Sequence, residues 1–210
     1  MTLRFCIPVV LLVAASAHGQ GQGRCGVERW PVKTLADPQA AAVLAAPVQV
    51  ATVAELLAKP APSRAQLQAA TSTRFPDEKT QYRIFAVLVG FKLEADQDFH
   101  IVVADPTDAT RTLITEIPAP ACVPEAERQT FLALRQRFVA KFGQPSPRFR
   151  RVDQVFSNLT QPSAVQFRRA QRIVRVEVRG VGFFDFLHGQ TGVAPNGFEL
   201  HPVLAFDAVP

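Results

Sequence analysis

The run from Gly180 to Leu204, GVGFFDFLHGQTGVAPNGFELHPVL, constrains the fold more than any other stretch of this chain. Two strand-like pieces flank a loop rich in glycine, so the segment reads as consecutive strands turning at a corner. Just before it, Val174, Val176 and Val178 alternate with Arg175, Glu177 and Arg179, which carries the first strand back to Ile173. Asp185, His188, Glu199 and His201 crowd into seventeen residues of the same region and include two of the four histidines in the chain. Such density marks either a site or a demanding corner. Gly180, Gly182, Gly189, Gly192 and Gly197 suit bulges and positive φ, and His201-Pro202 suits an edge strand, where a missing N–H matters little.

Upstream, Tyr82 to Leu93 is apolar on both alternating sets, as expected for a strand covered on both sides. An acidic turn, Glu94–Asp98, leads to a second strand over Phe99–Ala104. A turn around Asp105–Asp108 leads to a third over Arg111–Ile117. Pro118, Pro120 and Pro124 stop the sheet. Phe131, Leu134, Phe138 and Phe142 then recur at helical spacing, which predicts a helix over Glu125–Phe142 with Gly143 beyond its end. A final strand is expected over Phe198–Phe206. The order β-β-β-α-β-β predicts a mainly β fold, a five-stranded, partly open OB-like barrel, occupying residues 80–210.

The N-terminus predicts export. Arg4 precedes an apolar run from Phe5 to Ala17 that ends in Ala15-Ser16-Ala17, the small residues a signal peptidase needs, so residues 1–17 read as a signal peptide. No stretch approaches the roughly 20 apolar residues a membrane span requires. The expected location is secreted or periplasmic. Cleavage removes Cys6 and leaves Cys25 and Cys122, an even pair in an oxidising compartment, so a Cys25–Cys122 disulfide is expected. Closing so long a loop contributes about 4–5 kcal/mol by chain entropy. Residues 18–79 read as an extension with short helices, tethered by that bridge. Thr52-Val-Ala-Glu55 is a capping-box pattern, and Pro60-Ala-Pro62 ends the helix it opens. The alanine-rich stretch Pro38–Ala46 favours another turn or two, and Trp30 reads as an anchor burying the extension on the sheet.

The formal net charge of +5 is concentrated locally: eight arginines lie between Arg148 and Arg179, against Asp153 and Glu177 only. A solvated basic face is the simple reading, and weak polyanion binding is the functional one.

The stretches Gly26–Thr34, Pro60-Ala-Pro-Ser63, Pro120-Ala-Cys-Val123 and Gly180–Leu204 resemble a family of secreted, functionally uncharacterised bacterial proteins that share the C-terminal segment. The resemblance runs from about Cys25 to the C-terminus. It implies that extension and barrel form one unit, and it carries no activity.

Barrels of this type bind along the second and third strands, between the loops joining strands one and two and strands four and five. Those loops are here residues 94–98 and 187–196, which defines the expected groove. Asp96, Asp98, His100, Asp185, His188, Glu199 and His201 are the candidate ligand-binding residues. Asp98 and His100 share one strand face, as do Glu199 and His201. A hard cation would want the oxygens of Glu94, Asp96, Asp98 and Asp185. Zinc would prefer His188 and His201 with one carboxylate. Neither spacing is a recognised ligand motif, so no cofactor is expected. Against a site stands an architectural reading, in which Asp185 holds the loop and the histidines satisfy buried polar groups. Gly-x-Ser-x-Gly, phosphate-cradling and dinucleotide signatures are missing. The leading expectation is therefore a non-enzymatic, monomeric binding or structural domain. The alternative is a metal-assisted, nuclease-like hydrolase using Asp185, His188 and His201, which rests on fold analogy.

Overall fold

A computed structural model describes residues 25–26, 28–152 and 173–210. The signal-peptide reading and residues 153–172 of the arginine-rich stretch lie outside them.

The chain is mainly β, built on a closed five-stranded barrel. Its strands are β2 (Gln81–Leu93), β3 (Phe99–Ala104), β4 (Thr112–Ile117), β6 (Arg175–Phe184) and β7 (Phe198–Ala208), and two short strands, β1 (Val48–Val50) and β5 (Arg150–Arg151), pair with β2. The barrel order is β2-β3-β4-β7-β6, with β6 returning to β2. β4 and β7 run parallel over Ile114↔Glu199 and Thr115↔Leu200, and the other barrel pairs are antiparallel. Closure, where sequence suggested a partly open barrel, follows from the length of β2. Its first half, Gln81–Val87, pairs with β6, and its second half, Val87–Leu93, pairs with β3. The register shifts between Leu88 and Gly90. Gly90 is needed there, because a Cβ would lie 2.5 Å from the Arg150 carbonyl oxygen.

Helix α5 (Glu125–Phe142) plugs one side of the barrel. Glu125 and Glu127 lie in its first turn, favourable to the helix dipole. Phe131, Leu134 and Phe138 are buried, and the Phe138 ring packs on Phe91, Phe99 and Phe206 at 5.1, 5.7 and 5.3 Å. β7 is not an edge strand: it pairs with both β6 and β4. Pro202, which follows a cis peptide, is tolerated because the β6–β7 register slips between Gly180 and Gly182.

The extension is part of the same core. Helices α1 (Trp30–Lys33), α2 (Ala40–Ala45), α3 (Val53–Leu57) and α4 (Arg64–Ala69) precede a 3-10 turn, Pro76–Lys79. The Thr52–Glu55 capping box forms at α3, and Ser63 with Gln66 makes a second at α4. Val43, Val53, Leu56 and Leu67 join the barrel residues in one hydrophobic cluster. The Cys25–Cys122 disulfide is present, with Cα atoms 5.4 Å apart.

The bridge is one attachment among several. Arg29, fully buried, donates to both Glu78 oxygens and to the carbonyls of Ala70, Thr73 and Phe184. Arg74 forms a second buried pair with Asp37, 2.6 Å long. The expected anchor, Trp30, is only half-buried and its indole N–H has no hydrogen-bond partner among the described residues. The neighbouring arginine does the anchoring instead.

Candidate functional site

An open cleft of about 420 Å³ lies at the barrel mouth, between the two expected lip loops and roofed by the extension. Six carboxylates line it: Glu28, Glu94, Asp96, Glu116, Asp185 and Glu199. Lys33, His100 and His188 are the basic groups on its walls. Three chain regions converge here. Glu28 and Lys33 come from the extension, Glu94, Asp96, His100 and Glu116 from β3, β4 and the turns beside them, and Asp185, His188 and Glu199 from the last two strands and their loop.

Strand register assembles the floor. His100 lies directly across from Glu116 in the β3–β4 ladder, and Ile114 pairs with Glu199 across β4–β7. His100 Nδ1 is 2.8 Å from Glu116 Oε1 and 3.3 Å from Glu94 Oε1, while Nε2 is 2.9 Å from the Thr191 carbonyl oxygen. His201 is fully buried and does not line the cleft. Its ring nitrogens lie 3.2 Å from Glu116 Oε2 and 3.3 Å from Asp98 Oδ2, and neither contact has hydrogen-bond alignment. Asp98 is turned inward as well, accepting from the Ala119 amide at 2.7 Å. A chain of alternating acids and imidazoles, Asp98–His201–Glu116–His100–Glu94, therefore runs from the core to the rim.

Charge state follows from these neighbours. Burial pushes Glu116 upward, but the hydrogen bond from His100 and the fields of His201, His100 and Lys33 outweigh it and hold this carboxyl at about 2. Glu199 goes the other way. Burial, reinforced by the charges of Asp185 and Glu116, raises it well above the ordinary 4.5, and Lys33 offsets this only in part. Its Oε2 is buried without a hydrogen-bond partner among the described residues. Burial lowers His100, yet the Glu116 carboxylate, the Thr191 carbonyl and Glu94 leave it above 6.5. Asp96 is raised by burial and then by Asp98. Lys33 is raised too: burial opposes the charge, but Asp185, Glu116 and Glu199 overcome it, and the ammonium binds Asp185 Oδ2 at 3.1 Å.

Of the seven residues singled out from sequence, Asp96, His100, Asp185, His188 and Glu199 line the cleft, and Asp98 and His201 lie behind it. Asp185 also accepts from the Phe186 amide, so it holds the loop as expected of an acid in that position. His188 is exposed at the rim. The suggested zinc pair, His188 and His201, does not converge, and the oxygen set of Glu94, Asp96, Asp98 and Asp185 is broken by the inward turn of Asp98. Sequence reasoning missed Glu116, Glu28 and Lys33. Glu116 had a signal, since it is the sole charge in the apolar strand Leu113–Ile117. Lys33 had none.

The rim loop is set by two devices. The Asn196 side-chain amide donates to the Leu56 and Lys59 carbonyls, docking the loop on α3. Gly192, at φ +81°, sits where a Cβ would lie 2.4 Å from Val102. No family model, curated protein or solved structure matches this chain.

Proposed function

We propose that this chain is an exported, non-enzymatic binding domain whose cleft takes a small, positively charged ligand. One observation carries the reading: the buried Glu199 carboxyl, with no hydrogen-bond partner for Oε2 among the described residues, lines a cleft with five further acids, against Lys33 held by Asp185 and Lys92 paired with Glu94. A group with spare acceptor capacity in such a field favours a cation that brings donors. The exposed Glu28 and the half-buried Asp96, both lining the cleft, would draw the ligand in. The disulfide, the N-terminal apolar run and the lack of any membrane-crossing helix among the described residues support export.

Calorimetric titration with spermidine, a compact polycation, tests this directly. Saturable binding that weakens in Asp96→Asn and Glu28→Gln, at unchanged melting temperature, is the expected outcome. Equal binding by wild type and both variants would place the polycation on the general surface and overturn the reading. Polyphosphate in parallel tests the arginines of 148–179, whose binding would fall steeply with salt.

A metal-assisted hydrolase on Asp185, His188 and His201 is the weaker reading. Asp185 and His188 share the cleft, but His201 is sealed beneath it, so one reacting group cannot touch all three. A divalent-dependent phosphodiesterase assay that returns activity lost in Asp185→Asn would restore it.

A further inference from the structure

The hydrogen bonding of His100 leaves one position in the cleft that only a positive centre can fill. Nε2 lies 2.9 Å from the Thr191 carbonyl oxygen, an obligate acceptor, so Nε2 carries the hydrogen. In the neutral ring, Nδ1 is then a bare lone pair. It faces two carboxylate oxygens, Glu116 Oε1 at 2.8 Å and Glu94 Oε1 at 3.3 Å, which are also electron-rich. The Lys92 ammonium meets Glu94 Oε1 at 2.8 Å from one side, and between His100 Nδ1 and Glu116 Oε1 a proton or a metal ion must lie, because two facing lone pairs repel. An imidazole whose far N–H is fixed by a backbone carbonyl is also the usual arrangement of a metal-binding histidine, oriented from behind.

The spacing suits a metal. A tetrahedral ion with bonds of about 2.0–2.1 Å holds its ligands about 3.3 Å apart. The Glu94 contact already has that separation, and the Glu116 contact needs to open by about half an ångström to reach it. One donor atom from each of Glu94, His100 and Glu116 lies within 4.8 Å of the others. A second and independent observation is Glu199, which is 1% exposed, lines the same cleft, and has no hydrogen-bond partner for Oε2 among the described residues. Glu116 Oε2 and Glu199 Oε2 flank the same His201 nitrogen at 3.2 and 4.0 Å, so these two carboxyl groups are neighbours.

We propose that the cleft holds one divalent transition-metal ion of the zinc class, bound by His100 Nδ1, Glu94 and Glu116, with the fourth position left to the open side of the cleft. The mixed nitrogen and oxygen set, with one imidazole, selects zinc or a similar ion over calcium, which wants six or more oxygens. This assignment rests on the cation-binding reading of the cleft and narrows it to a metal. The open side of the cleft leaves the ion reachable, with Asp96 and His188 at the rim.

The test uses the mature, disulfide-intact chain, dialysed against a chelator and titrated with zinc chloride by calorimetry and with cobalt(II) by visible absorption. The expected result is one ion per chain and a cobalt spectrum that zinc displaces. Glu94→Gln and His100→Gln should each weaken zinc by about tenfold or more, and Asp207→Asn, at an exposed acid outside the cleft lining, should leave it unchanged. Glu94 is half-exposed, so its variant stays informative even if the His100 variant does not fold. Lack of saturable uptake, uptake undiminished in Glu94→Gln, or uptake lost in Asp207→Asn would each overturn the site. Spermidine binding without zinc uptake would refute the metal and leave the cation cleft standing, whereas loss of both would refute the two together.

Discussion

Arg29→Ala tests whether the extension is held by its buried ion pair or by the disulfide. The guanidinium donates to both oxygens of Glu78, at 2.7 Å for the Nη2–Oε2 contact, and Arg29 and Glu78 are 3% and 0% exposed. Removing one member of such a pair leaves an uncompensated buried charge and costs about 3–5 kcal/mol. Glu78 keeps the Phe75 and Phe184 amides, each at 2.8 Å, so the loss should fall at the lower end. Arg29 sits at φ +50°, but alanine inherits the same left-handed strain, so that contribution cancels. A loss of about 3 kcal/mol in a chain of this size lowers Tm by about 6–12 °C. Differential scanning calorimetry of the oxidised protein, with urea melts to obtain the free energy, reads it out. The same variant frees the Phe184 carbonyl beside Asp185 and slackens the segment carrying Glu28 and Lys33, so spermidine binding should weaken with it. A Tm within about 2 °C of wild type, less than 1 kcal/mol at this size, would refute the reasoning and leave the disulfide as the main tether.

Three further outcomes follow from local features. Thr52→Ala removes the cap that accepts from the Glu55 amide and should cost about 1 kcal/mol by urea denaturation. Gly192→Ala meets positive φ and the Val102 side chain together. It should lower stability by about 2–4 kcal/mol, summing the left-handed and overpacking penalties, and a thermal melt checks it. Asp105 is held below its ordinary 3.8 chiefly by the Thr107 hydroxyl, with its backbone bonds and Arg111 adding to this. A depressed carboxyl stabilises the fold above its unfolded pKa and loses that stabilisation as pH falls through the folded one. Asp105→Asn should therefore be less stable than wild type at pH 7, with the gap closing below about pH 3.8 in urea melts across pH.

The acid–imidazole chain gives the cleft a division of labour. Glu116 is kept ionised by two histidines while Glu199, which pairs with Ile114 two residues away on the parallel seam, is pushed towards its neutral form. Burial acts on both groups with the same sign, and the neighbouring charges separate them. Two acids so placed can offer a ligand one fixed negative centre and one adjustable donor or acceptor.

Much was legible from the chain alone, because it depends on neighbours within a few residues. The helix over Glu125–Phe142, the capping box at Thr52–Glu55 and the strand spans are written in periodicity and turn chemistry, and the order of these elements along the chain pointed to an OB-like barrel. The two lip loops followed from that order. What tertiary structure alone decided is which side chains meet. His100 faces Glu116 because of strand register, and a one-residue slip would have turned the pair to opposite faces. His201 was sealed inward and His188 left at the rim, although both stand in the same short run. Lys33 and Glu28 reach the cleft because Arg29 pins the extension across the barrel through contacts 41 to 155 residues away in sequence. Long-range pairing depends on shape and burial summed over the whole core, and no local pattern encodes it.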